Sequence, residues 1–121
     1  MNKTNRMHDC ELLDGISVSC LEIQQALTEH LETTTNVQYK TDIDKDLVTL
    51  ENLKHIIFAV KEDVEKEKVG ASTELLLRIA ANDFKNKLAL IPEKKTLRKE
   101  IMRSLKEVHS NILHLSIWEN Q

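Results

Sequence analysis

Proline occurs once and glycine twice in 121 residues. A multi-stranded β-fold needs a turn every ten residues or so, and turns draw on those two residues, so the supply argues against it. With only Gly15 and Gly70 there is also no phosphate-cradling loop and no dinucleotide fingerprint. Aromatics are equally scarce, at two Phe, one Tyr and one Trp, which leaves Leu, Ile, Val and Ala to build the core. No long hydrophobic run exists. The longest near the middle is IIFAV, far too short to span a bilayer.

Cysteine appears twice, at positions 10 and 20. On one helix their Cα atoms would lie about 15 Å apart, beyond disulfide reach. The opening MNKTNRMHDCELL has no apolar segment and no small-residue cleavage site. Free thiols suit a reducing compartment, so the expectation is a cytoplasmic or nuclear protein that is not secreted. The sequon Asn2-Lys3-Thr4 is then without meaning.

What the chain does contain is helical periodicity. Leu13, Ile16, Cys20, Ile23 and Leu27 alternate in steps of three and four, a heptad seam whose next position is His30. This predicts a helix over about 9–33 behind a flexible N-terminus at 1–8, with Gly15 as a weak point. The polar, β-branched TTTNVQYKT reads as the longest loop. Thr41 or Asp42 caps a second helix over about 42–68, with Asp42, Asp44 and Asp46 at its positive end. Leu50, Leu53, Ile57, Val60 and Val64 form its seam, Glu62 and Lys66 a favourable pair, and Gly70 its stop. A third helix, over about 72–91, starts at Ser72 or Thr73 and carries Leu77, Ala81, Phe84, Leu88 and Ile91 up to the break at Pro92. A fourth, over about 96–118, is lined by Ile101, Leu105, Val108, Ile112 and Leu115. The fold expected is all-α: one domain over 9–121, an antiparallel four-helix bundle or elongated helical hairpin with coiled-coil-like seams.

Net charge is −3, but it is unevenly spread. Residues 1–70 hold 8 Lys/Arg and 14 Asp/Glu, while residues 71–121 hold 9 and 6. The balance gives no general pull toward nucleic acid or an acidic membrane.

The histidines and cysteines are the residues best suited to chemistry. Di-iron bundles need Glu-x-x-His on inward faces, and the residues three before the five histidines are Asn5, Leu27, Asn52, Lys106 and Asn111. His109 and His114 point some 140° apart at helical spacing. Glu51 and His55 read as an i,i+4 surface pair. His8, Cys10, Cys20 and His30 are zinc-type residues, but Cys20 and His30 would lie about 15 Å apart along a helix, too far for ligands that must sit 2.0–2.3 Å from one ion. His30 then closes the first seam. No serine or cysteine sits in a recognisable nucleophile elbow. The expectation is no enzyme, no catalytic residue, no cofactor and no metal.

Two surface features remain. Lys95, Lys99, Arg103 and Lys106 fall on one face of the fourth helix, opposite its seam, as a stripe about 16 Å long. Such a stripe can follow a phosphate backbone, though no aromatic is interleaved for base stacking. Then SNILHLSIW, residues 110–118, is apolar all round at helical spacing, so something must cover it. Either the first loop wraps it, through Val37 and Tyr39, or Leu113, Ile117 and Trp118 form an interface anchor for another chain. The reading that results is a non-enzymatic helical interaction module, an assembly subunit, adaptor or chaperone-like protein, that buries helix faces against a protein partner or a homo-oligomer. A small nucleic-acid-associated regulator using the stripe is the alternative.

Overall fold

The computed structural model describes residues 3–86 and 95–119. Among them the chain forms four α-helices, α1 (Lys3–Thr33), α2 (Val37–Glu65), α3 (Ala71–Asn86) and α4 (Lys95–Leu113), then a 3-10 turn, Ser116–Glu119, and no strand. α1 packs along both α2 and α4, α2 along α3, and α3 touches α4 only narrowly. The result is an all-α four-helix bundle. No helix among the described residues is long and apolar enough to cross a membrane.

Periodicity explains the core. Leu13, Ile16, Cys20, Ile23 and Leu27 of α1 are all buried, and so are the seams of α2 and α4. Each Leu or Ile withdrawn from water contributes roughly 1.5–3 kcal/mol, which offsets the backbone entropy of the helices that carry them. Polar links fix the lateral register. Lys61 Nζ donates to Asp14 Oδ1 at 2.6 Å, and Lys54 Nζ to Gln24 Oε1 at 3.3 Å, so α2 runs antiparallel to α1. Against α4, Ser19 Oγ donates to Glu107 and Ser104 Oγ to Glu22, which sets a second antiparallel pair. Gly15 lies in that seam, where an added Cβ would come within 2.9 Å of the Asn111 amide nitrogen. It is therefore a point of close approach as well as a weak helix former.

Several boundaries differ from expectation. α1 begins at Lys3, so residues 3–8 are helical where a flexible end was expected; Arg6 is tied to Glu67 at 3.0 Å. The long first loop contracts to residues 34–36. Asn36 takes the cap expected of Thr41 or Asp42, its Oδ1 accepting from Gln38 N at 2.9 Å and Tyr39 N at 3.2 Å. The earlier start extends the α2 seam back through Ile43 and Asp46, both buried. Asp46 thus lies well inside the helix, away from its positive end.

α2 also stops sooner than Gly70. Its end closes when Lys68 N donates to the Asp63 carbonyl at 2.8 Å, with Glu67 N on the Val64 carbonyl at 3.2 Å. That pattern needs one left-handed residue, and Glu67 supplies it at φ 55°. Gly70 instead precedes α3. Its N–H donates to Thr73 Oγ1, which in turn donates to Asp63, and its carbonyl accepts from Glu74 N. Leu88, Ile91 and the break expected at Pro92 lie outside the described residues.

Candidate functional site

The apolar C-terminal stretch is covered by the chain itself. α4 ends at Leu113, and the chain turns at His114 and Leu115 into the 3-10 turn instead of continuing to 118. The bend changes the direction of every following side chain. Ile112, Leu115 and Ile117 are all buried, Ile117 to 2% exposure, and Trp118 is half-buried with its Nε1 donating to the Ile112 carbonyl at 2.8 Å. What holds the bend is Asp9 of α1, fully buried, whose two carboxylate oxygens accept from Ser116 N at 2.8 Å and Ser116 Oγ at 2.7 Å. The patch expected from Leu113, Ile117 and Trp118 is therefore not one exposed surface. Only Leu113, 75% exposed, faces water, and Val37, offered as a cover, is exposed as well. A straight-helix projection misplaced these residues because the helix does not continue, and no pattern in the sequence marks where it breaks.

A groove that the sequence reading did not single out lies between α1 and α2. It has a volume of about 500 Å³ and is lined by Asp14, Ser17, Lys54, Ile57, Phe58 and Lys61, among others. Phe58 occupies the position next to core Ile57 and is 63% exposed. The Asp14–Lys61 and Gln24–Lys54 links bracket it. The charged rim is already internally paired. Glu51 accepts from Gln24 at 3.0 Å and lies 3.6 Å from both Lys54 and His55, and the Gln24 bond leads in holding its carboxyl below the usual range. Lys61 is held above its usual range chiefly by its bond to Asp14. The apolar floor is therefore the part of this groove with capacity left to bind. One signal was available in the sequence: a phenylalanine off the seam in a chain with only two.

Of the expected basic stripe, the side chain of Lys95 lies outside the described residues. Lys99, Arg103 and Lys106 are exposed along α4, which Lys95 opens. None of the three makes an ion pair among the described residues. Met102 and Leu113 are exposed on the same helix.

The remaining polar interior holds two cysteines, a carboxylate and a histidine among the described residues. Cys20 is buried and its thiol is pushed up to about 12 by burial, which removes the nucleophilic thiolate. The half-buried Cys10 is also raised, first by burial and then by Glu65. Asp46, 3% exposed, has its carboxyl pushed up to about 7 by burial, with a smaller contribution from Asp42, and its Oδ1 has no hydrogen-bond partner among the described residues. His30 is buried at the same seam end of α1, with its ring centroid 6.5 Å from that of Tyr39. Among the described residues no three His, Cys, Asp or Glu side chains gather as metal ligands.

The class defined by these observations is an all-α four-helix bundle with exposed side-chain faces. Comparison with family models, with curated proteins and with solved structures finds no match to this chain.

Proposed function

We propose that the protein is a non-enzymatic helical interaction module that receives an amphipathic helix of a protein partner in the groove between α1 and α2. The observation that carries this reading is Phe58, a large aromatic left exposed over an open groove that also reaches Ile57. An exposed aromatic beside an apolar floor and rimmed by polar groups is the composition of an interface anchor. A helix laid along the groove would meet apolar side chains at its centre and the Asp14–Lys61 and Glu51–Lys54 pairs at its edges, which gives orientation without an unpaired buried charge. An adaptor or assembly subunit has this design: a self-sufficient core and one face held for another chain.

Phe58→Asp tests it. The side chain is mostly in water, so the variant keeps its helicity and melting temperature while its partner, recovered from native lysate with the wild-type protein, no longer co-purifies. A variant that unfolds makes Phe58 a core residue, and a wild-type protein that retains no stoichiometric partner removes the reading altogether.

A further inference from the structure

α2 is held unevenly along its length. From Leu50 onward each turn sets an aliphatic side chain in the core, through Leu53, Ile57, Val60 and Val64. Across residues 37–46 the buried side chains are Ile43 and Asp46, with Tyr39 and Asp42 half-buried and Val37 in water. Gln38 Nε2 donates to Asp42 Oδ1 and Thr41 Oγ1 to the Val37 carbonyl, each at 3.1 Å, and both bonds lie inside this stretch. The ties that Gln24 of α1 makes to α2 fall beyond it, at Glu51 and Lys54. One buried isoleucine contributes roughly 1.5–3 kcal/mol, whereas ordering the backbone costs about 1–2 kcal/mol for every residue. The first turns of α2 are therefore its weakest part.

Asp46 sits at the end of that part, with its Oδ1 shut away from water and without a hydrogen-bond partner among the described residues. On its own helix Asp42, one turn earlier, opposes its ionisation, and Lys45 is exposed. On α1 the register set by the Asp14–Lys61 and Gln24–Glu51 bonds brings buried His30 to the level of Asp46, while Glu29 and Glu32 face water. α3 runs back alongside α2 from the Asp63–Thr73 bond, and the charged residues near its end are half-buried Asp83 and exposed Lys85. None of these supplies a bond to the Asp46 Oδ1. An ionised carboxylate in this position lacks both partner and water, and opening of the helix end gives it water.

We infer that residues 37–46 form a gate: the first turns of α2 come away from α1 as a unit when Asp46 ionises and close when it takes up a proton, while the rest of the bundle stays folded. Burial raises the closed-state carboxyl to about 7 from an ordinary 3.8, so the closed form binds the proton more tightly than the open one. Opening is rarest below about pH 4, increases as pH rises to about 7 and levels off above it. When open, the gate uncovers Ile43 and the α1 surface beneath it, an apolar face offered only by the ionised form. On α2 the Phe58 groove begins at Glu51, past the gate, so this inference stands apart from the groove reading.

Hydrogen–deuterium exchange, read amide by amide at pH 5 and pH 8 and corrected for intrinsic rates, tests it. In the wild type the protection of residues 41–47 falls on the order of tenfold or more between the two, and at pH 8 it lies below that of residues 53–64. Low urea leaves exchange in residues 41–47 unchanged, because a local opening exposes little surface, and speeds it in residues 53–64. Asp46→Asn removes the pH response of the segment, and Asp46→Leu gives the same flat profile if the asparagine variant does not fold. His30→Gln keeps the response, which assigns it to the carboxyl and not to the imidazole. Equal protection at pH 5 and pH 8 overturns the inference, as does a response that survives both Asp46 variants or is lost with His30. So does the same urea dependence in both stretches, which makes the opening global. A gate that still responds to pH in Phe58→Asp, alongside loss of the groove partner, keeps the two readings separable.

Discussion

The two ends of this bundle each bury an aspartate on a helix seam, and the two are treated in opposite ways. At one end Asp9 of α1 has both oxygens occupied, one by the backbone N–H and the other by the hydroxyl of Ser116. At the other end Asp46 of α2, almost equally buried, leaves one oxygen without a partner and has its carboxyl pushed up to about 7. The difference teaches that burial alone does not decide whether a carboxylate helps or harms a fold. A carboxylate that accepts charge-assisted hydrogen bonds in the interior becomes a fastener. One that lacks them is a liability, and it lowers the cost by holding its proton.

The comparison is broken most severely at Asp9. Asp9→Ala leaves the Ser116 N–H and hydroxyl buried without acceptors and frees the turn that brings Ile117 and Trp118 onto the core. A loss of about 3 kcal/mol is expected, seen as a lower urea midpoint, with Asp9→Asn losing less because it keeps one acceptor. A loss below about 1 kcal/mol would show that the 3-10 turn holds without its lock.

Asp46→Leu acts in the other direction. Because the folded carboxyl titrates near 7, well above its ordinary 3.8, the folded state binds the proton more tightly than the unfolded one. Stability is therefore highest below about pH 4, falls as pH rises from there to about 7, and stays low above it. Three pKa units correspond to about 4 kcal/mol, an upper bound that local relaxation reduces, so a gain of about 2 kcal/mol at pH 8 is expected for the leucine variant. Melting curves at pH 4, 6 and 8 check both the size and the sign. A wild-type protein whose stability is flat over that range contradicts the assignment.

The smallest effect sharpens the picture of the Asp9 end. Glu67, the left-handed residue after α2, pays a conformational penalty that glycine avoids. Glu67→Gly is expected to stabilise by about 0.5–1 kcal/mol even after losing the exposed Arg6 ion pair, which contributes little. A calorimetric melting temperature that falls instead would assign that ion pair a larger share in holding the start of α1.

Much of the fold was legible in advance, and the reasons are local. The three-four spacing of Leu13, Ile16, Cys20, Ile23 and Leu27 names a buried stripe whatever lies against it, and every one of those residues is in the core. The α4 stripe was legible for the same reason: Lys99, Arg103 and Lys106 lie opposite the seam, and a charged side chain opposite a seam faces water. The start of α2 was misplaced because β-branched and polar residues from Thr33 to Tyr39 have modest helix propensity, and the Asn36 cap overrode it. The groove at Phe58 was missed because its depth depends on how far apart α1 and α2 stand.

By itself, then, the amino-acid order determined the class, the helices and the stripes they bury, because helix formation and amphipathicity depend on neighbours three and four residues away. It did not determine which distant residues meet. Asp9 and Ser116 are 107 positions apart, and their bond exists only because α1 and α4 settle into one antiparallel register. That register, and the bend after Leu113 that it supports, turned Ile117 from a surface residue into a core residue. Such pairings depend on the packing of whole faces against one another, and only the assembled bundle decides them.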